Sequence, residues 1–252
     1  MKKRMDKMIT SIQNKFVKEW KKLHKKKYRQ ESGTFLIEGE HMIEEAYETD
    51  QLITTLIVQE GKEVPAWMDE EYVYIVTENV FKEISQTEAP QGIAAIVNMG
   101  SMKQEHNNYV LLIDAVQDPG NLGTIIRTAD AAGFSKVVLG EGTVDLYNDK
   151  VVRATQGSIF HLAIEQRDLN EAITNLQTDG FSVWATTLRR AKNYAEIEPT
   201  NKTAIILGNE GRGVQQKWLD MADELVKIPM YGKAESLNVG IAAGILMYHI
   251  RK

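Results

Sequence analysis

The sequence predicts an α/β protein in two parts: a small α/β unit over residues 1–99 and a parallel-sheet α/β unit over residues 109–252. Three observations carry this reading. Short apolar runs alternate with stretches of helical period along the whole chain. In the second part the runs are continuously apolar, as in VLLI and AIIL, which suits strands covered by helices on both faces. Between the parts, GSMKQEHNN at residues 100–108 breaks both rhythms with polar residues and a glycine, and is read as a linker.

The elements follow in order. Ile12, Phe16, Trp20 and Leu23 recur at helical spacing with lysines on the other side, so a basic amphipathic helix opens the chain. GTFLIEGEHMIEEAYETD reads as a strand followed by a helix whose apolar side holds Met42, Ile43 and Ala46. LITTLIVQE, EYVYIVTENVFKEI and GIAAIVNM add three strands, the second running into a helix. From Tyr109, YVLLIDAV and KVVLG bracket a helix that begins in DPGNLG. SVWATT, TAIILGNE and ELVKIPM follow as strands, and SLNVGIAAGILMYHI is the last helix. Ligands of a parallel sheet gather at the carboxyl ends of its strands. DPGNLG, GNEGRG and IPMYGKAESLN each come just after a strand, so the three loops are expected to meet on one edge.

Composition narrows the function classes. The 252 residues, 43% hydrophobic, can fill a sizeable core. With no cysteine, disulfides, thiolate metal sites and cysteine nucleophiles are excluded, and the five histidines lack metal-ligand spacing, so no metal is expected. No apolar run is long enough for a bilayer, and MKKRMDKMIT lacks the apolar stretch of a secretory signal. The expectation is a cytoplasmic protein with no membrane partner. The net charge of −5 is unevenly spread: residues 1–30 hold twelve of the thirty Lys and Arg residues and only Asp6 and Glu19 on the acidic side. Lys15, Lys18, Lys22, Lys25, Lys26 and Arg29 are candidate contacts to a polyanion such as RNA; a solvated helix face is the other reading.

The three loops carry the chemistry. GNLG lacks the GxGxxG of a dinucleotide fold, and GRG lacks the lysine and hydroxyl of a phosphate loop, which disfavours a dehydrogenase and an NTPase. Asn121 has an amide able to hold a neighbouring loop, and Arg127 a planar fork suited to phosphate; a plain helix cap with a solvent-facing arginine is the alternative. Glu210 is either a base or, preferably, an anchor for Asn121 or Arg127. Ser236 and Asn238 stand at the mouth of the last helix, where a hydroxyl can cap and free amides can receive an anion or a polar ligand edge. Gly240, Ala242, Ala243 and Gly244 let that helix pack closely, on the sheet and in addition on a second copy.

NLGTIIRTADAAG, LGNEGRGV and IPMYGKAESLNVGIAAG, in this order and spacing, closely resemble the signature segments of the SpoU (TrmH) branch of the SPOUT methyltransferases. ITSIQNKFVKEWKKLHKKKYRQESGTFLIEGEHMIEEA and QTEAPQGIAAIV are similar to the amino-terminal RNA-substrate domain of many ribosomal-RNA members, so the resemblance spans nearly the whole chain. It implies a homodimeric RNA 2′-O-ribose methyltransferase using S-adenosylmethionine, with a carboxyl-terminal trefoil knot in the second domain. Large-subunit ribosomal RNA is the expected substrate, with transfer RNA, or a non-catalytic ribosome-assembly role, as alternatives. By the same resemblance the cofactor lies near Leu207, Gly208, Ile228, Pro229, Met230 and Leu237. Asn121, Arg127, Glu210, Ser236 and Asn238 match the family's catalytic polar positions, with Arg127 also an RNA contact. Gly240 stands where many members have serine.

Overall fold

The structure, a computed structural model, describes residues 8–100 and 108–252. The basic residues ahead of Met8 and nearly all of the expected linker lie outside the described residues. The described chain forms two units, one of residues 8–100 with 147–160, the other of residues 108–146 with 161–252.

The first unit is a mixed five-stranded sheet with helices. Its elements are β1 (Met8–Ile9), α1 (Lys15–Lys22), α2 (Lys26–Ser32), β2 (Thr34–Glu38), α3 (Glu40–Glu48), β3 (Ile53–Gln59), β4 (Val73–Val76), α4 (Glu78–Ile84) and β5 (Ile93–Asn98). The strand order is β1-β4-β3-β5-β2, with β5 antiparallel to both its neighbours. Met42, Ile43 and Ala46 form the buried side of α3, as their spacing predicts.

The single basic helix expected at the start is instead two helices meeting at a corner. Asn14 Oδ1 accepts the backbone N–H of Phe16 at 2.9 Å and sets the start of α1, which leaves Ile12 outside the helix and 41% exposed. The corner is braced from within. Arg29 is only 6% exposed and its Nη1 donates to the Leu23 carbonyl, 2.7 Å away, at the end of α1. The expectation that Arg29 faces RNA is therefore corrected: its guanidinium satisfies a helix-end carbonyl that has no other hydrogen-bond donor among the described residues. Lys15, Lys18, Lys22, Lys25 and Lys26 are exposed. Lys21 pairs with Glu83, and the His24 ring lies 2.9 Å from the Ile84 carbonyl, tying this corner to α4.

The second unit contains β6 (Tyr109–Asp114), α5 (Pro119–Ala131), β7 (Lys136–Leu139), β8 (Ala163–Gln166), α7 (Leu169–Thr178), β9 (Ser182–Thr186), β10 (Lys192–Asn193), β11 (Thr203–Gly208), α8 (Gln216–Met221), β12 (Glu224–Lys227) and α9 (Val239–Ile250). The sheet order is β10-β12-β9-β11-β6-β7-β8, and every pairing is parallel. Leu111, Leu112 and Ile113 of β6 and Ile205 and Ile206 of β11 have no exposed surface, as strands covered on both faces require.

Helix α6 (Asp149–Thr155), which lies between β7 and β8 in the chain, belongs to the first unit. The sequence pattern predicts a second domain unbroken from 109 to 252, whereas in the structure residues 147–160 group with the first unit. The Phe35 ring of β2 meets Tyr147 at 4.6 Å and Phe160 at 6.3 Å between centroids, so an apolar side of the small sheet is closed by this excursion.

Arg29→Ala is expected to lower unfolding free energy by about 1.5–3 kcal/mol, the range for a hydrogen bond made by a charged group. Denaturant titration checks it, and the slope of RNA affinity against salt concentration should stay at the wild-type value.

Candidate active site

Strands β6 and β11 lie side by side in register to their last residues, Asp114 opposite Gly208, so the loops that follow them start next to each other. In the first loop Asp118 caps α5, its Oδ1 accepting Asn121 N–H at 2.7 Å, and Pro119 occupies the first helical turn. In the second, Asn209 Oδ1 accepts the backbone N–H groups of Gly211 at 3.0 Å and Arg212 at 3.1 Å, and Gly213 turns the chain with φ of +69°. This turn folds back so tightly that a Cβ on Gly208 would stand 2.2 Å from Gly213 C and Val214 N. Glycine at 208 is thus a steric requirement of the loop itself.

Two further braces join the loops. Asn209 Nδ2 donates to the Ala115 carbonyl at 2.8 Å. Asp114, 1% exposed, accepts both Gln215 N–H at 2.7 Å and Gln215 Nε2 at 2.6 Å. Asp114, Gln215, Asn209 and Asp118 were not singled out in the sequence. An Asn two residues before a glycine and a capping Asp were legible signals; Asp114 and Gln215 are 101 positions apart and leave no local trace.

The three loops are tied by a relay of side chains. Glu210 Oε1 accepts from Asn121 Nδ2 at 3.1 Å, Asn121 Oδ1 accepts from Asn238 Nδ2 at 2.8 Å, and Asn238 Oδ1 accepts the N–H groups of Gly240 at 2.9 Å and Ile241 at 3.3 Å. Its direction is forced at both ends. A carboxylate only accepts, and a helix N-terminus only donates, so each amide must point its NH₂ toward Glu210 and its oxygen toward α9. Glu210 also accepts the backbone N–H groups of Gln117 at 3.2 Å and Asp118 at 3.0 Å. Partial burial pushes the Glu210 pKa upward, but the Asn121 amide and the N–H groups of Glu210, Asp118 and Gln117 outweigh it and hold the carboxyl below its ordinary value.

The expected site residues therefore divide. Asn121, Glu210 and Asn238 come together. The helix cap of α9 is Asn238 rather than the Ser236 hydroxyl, and Ser236 is exposed with no protein hydrogen bond among the described residues. Arg127 is also exposed, and its guanidinium bonds to no described residue. Glu210 anchors Asn121 and not Arg127, because six helical residues rotate the two side chains about 120° apart on α5. Leu207 and Gly208 are buried at the end of β11, so they offer backbone alone. Ile228, Pro229 and Met230 are half-buried, and Leu237 is exposed.

Backbone groups of residues 230–237 form no hydrogen bond with the described chain. These free donors and acceptors, beside the strand ends and the half-buried side chains of Ile228 and Met230, fit a ligand with a flat apolar body and polar edges, such as an adenosine. Among the described residues no group of three His, Cys, Asp or Glu is placed to hold a metal.

The SpoU rRNA Methylase family matches residues 108–248, which contain all three loops. The chain belongs to this family. Its reaction class, methyl transfer from S-adenosylmethionine to RNA, comes with that membership. The MRM3-like substrate binding domain matches residues 14–95. The SpoU-family chain is 46% identical, over 97% of its own length and 99% of the relative's, to 23S rRNA (guanosine(2553)-2'-O)-methyltransferase RlmP of Bacillus subtilis. Among solved structures it is similar to an AdoMet-bound rRNA methyltransferase from Sinorhizobium meliloti, with TM-score 0.87, 34% identity and 97% of each chain covered. The SpoU methyltransferase AviRb of Streptomyces viridochromogenes, in complex with AdoMet, superposes with TM-score 0.82 and 25% identity over 95% of this chain and 97% of AviRb.

The relay makes a directional prediction. Asn121→Asp should weaken S-adenosylhomocysteine binding more than Asn121→Ala, because a carboxylate cannot donate to Glu210 and repels it; calorimetric titration measures both. A pH prediction follows from the lowered Glu210 pKa. Its stabilisation is full above the unfolded-state pKa and is lost as pH falls through the lower folded-state value. Urea unfolding between about pH 6 and 3 should show a steeper acid decline for the wild type than for Glu210→Gln.

Proposed function

We propose that the protein methylates the 2′-hydroxyl of a ribose in large-subunit ribosomal RNA. The observation that carries this reading is the Glu210–Asn121–Asn238 relay, which draws three strand-end loops together beside a stretch of unbonded backbone. Likeness to a 23S rRNA methyltransferase over nearly the full length of both chains supports ribosomal over transfer RNA.

S-adenosylmethionine, when bound, presents a sulfonium methyl group whose transfer breaks the S–C bond and forms the ribose O–C bond. The loops' free backbone at 230–237 and the half-buried Ile228–Met230 hold that donor in this reading. Arg127, exposed and unpaired within the described chain, clamps the phosphate next to the target ribose and favours developing charge on the oxygen. A guanidinium keeps its own proton above a pKa of about 12, so the hydroxyl proton leaves to phosphate or water. Ser236, with a free hydroxyl, contributes to the same phosphate, whereas Asn238 is committed to the relay and the cap. Lys15, Lys18, Lys22, Lys25 and Lys26 add salt-dependent affinity for the RNA backbone.

The proposal extends to assembly. Ile241 and Tyr248 of α9 are 56% and 57% exposed, apolar surface suited to a second copy of the chain, and the family resemblance supports a homodimer with a trefoil knot formed around the third loop. No helix among the described residues is long and apolar enough to cross a membrane. A ribosomal RNA substrate supports a cytoplasmic location.

Ribosomal RNA from cells lacking this activity, incubated with protein and radiolabelled methyl donor, should yield one labelled dinucleotide resistant to alkali. Label confined to mononucleotides overturns the reading. Arg127→Ala and Arg127→Lys should each reduce transfer by about 10²–10³-fold, the usual loss for a removed charge-stabilising donor, with S-adenosylhomocysteine affinity unchanged.

A further inference from the structure

One face of the first unit's sheet is covered only in part. Val80, Phe81 and Ile84 of α4 pack with Ile57, Val76 and Ala94 in its core. Beside them a hollow of about 470 Å³ lies open, floored by Thr34, Thr55, Tyr74 and Ile96, one residue from each of β2, β3, β4 and β5. Its walls are Phe16 and Trp20 of α1 and Tyr28 of α2, and its rim carries Glu19, Lys22 and Glu31. The floor is polar where an ordinary core would be apolar, since Thr34 and Thr55 stand on the face that elsewhere presents Ile57 and Ala94.

We propose that this hollow receives one unstacked guanine of the RNA substrate. The inference rests on the RNA-methyltransferase reading and adds to it a base-reading site in the amino-terminal unit. Three properties of the lining favour such an occupant. The first is stacking surface: the Tyr74 ring lies 5.1 Å from Phe16 and 5.5 Å from Trp20, and any base offers a π face to such a cluster. The second is charge around an aromatic centre. Lys15 Nζ lies 4.9 Å from the Phe16 ring, and Lys22 and Lys27 Nζ lie 5.6 and 5.9 Å from the Tyr28 ring. Of these Lys22 belongs to the hollow's lining and Lys27 also lies 3.8 Å from the Glu31 carboxylate; lysines beside an aromatic hollow complement a base whose own chain carries a phosphate on either side. The third is the polarity of the rim. Glu19 and Glu31 accept hydrogen bonds and cannot donate them, which selects a base edge rich in N–H groups. Guanine presents two adjacent N–H groups on its Watson–Crick edge, at N1 and N2, and so matches a carboxylate bidentately.

The test uses the full-length protein without methyl donor and fluorescent single-stranded RNA heptamers, uridine throughout except for one central base. Fluorescence anisotropy should give about ten-fold tighter binding to the guanosine heptamer than to those centred on adenosine, cytidine or uridine, the low end of the discrimination of one bidentate hydrogen-bond pair. Ser32→Trp, which fills the hollow from an exposed position on α2, should abolish the preference. So should the pair Glu19→Gln with Glu31→Gln, which keeps the hollow's shape and gives the rim competing donors. Equal affinity for all four heptamers, or a preference that survives both changes, overturns the proposal. Methyl transfer to ribosomal RNA by the wild type is measured separately. Transfer without base preference sinks the hollow alone, whereas absent transfer sinks the enzyme reading and leaves the base preference to be judged on its own measurement.

Discussion

The second unit depends on one chain of hydrogen bonds with a compulsory direction. Glu210 can only accept and the first N–H groups of α9 can only donate, so the amides of Asn121 and Asn238 between them have a single satisfying orientation. That asymmetry makes the relay specific as well as stabilising. Aspartate in place of either asparagine keeps the size and loses the donor. The carboxylate end is reinforced by two backbone N–H groups of the first loop, so the charge of Glu210 is shared across both loops and neither can shift alone.

The relay has something to tie only because the sheet is parallel throughout. Every strand of such a sheet ends on the same edge, and the adjacency of β6 and β11 sets two loops side by side before any side chain takes part. The buried Asp114 and Gln215 then fix the exit of the second loop, and the tight return over Gly208 leaves no space for any larger residue. Arg127 stands apart from this scaffold. A guanidinium fully occupied by protein carboxylates has little left to offer a phosphate, so an exposed Arg127 separate from the scaffold is consistent with the clamp proposed for it.

Much of this was legible beforehand. The strands β2, β3, β4, β5, β6, β7, β9, β11 and β12 correspond to apolar runs read from the sequence, because burial on one or two faces imposes a period that composition cannot hide. The three loops were recognisable from their glycines, asparagines and strand-end positions. Other features were not. β6 to β9 bracket three elements with no reading of their own, α6, β8 and α7, and residues 147–160 group with the first unit, since local pattern records that a segment buries an apolar side and not which sheet it buries it against. Arg29 looked like its exposed neighbours; its inward turn depends on a carbonyl at the end of the preceding helix.

The sequence by itself determined the α/β class, the parallel character of the second sheet and the residue types at each loop, because these depend on periodicity and on the conformational needs of short segments. Tertiary structure alone decided which polar groups answer one another. Asn121 meets Asn238 across 117 positions and Glu210 across 89, and pairings at such separations are set by strand order and register. The same holds for the excursion of residues 147–160 into the first unit, where the Phe35 ring meets Tyr147 and Phe160, a choice made by the shape of a core that exists only once the chain has folded.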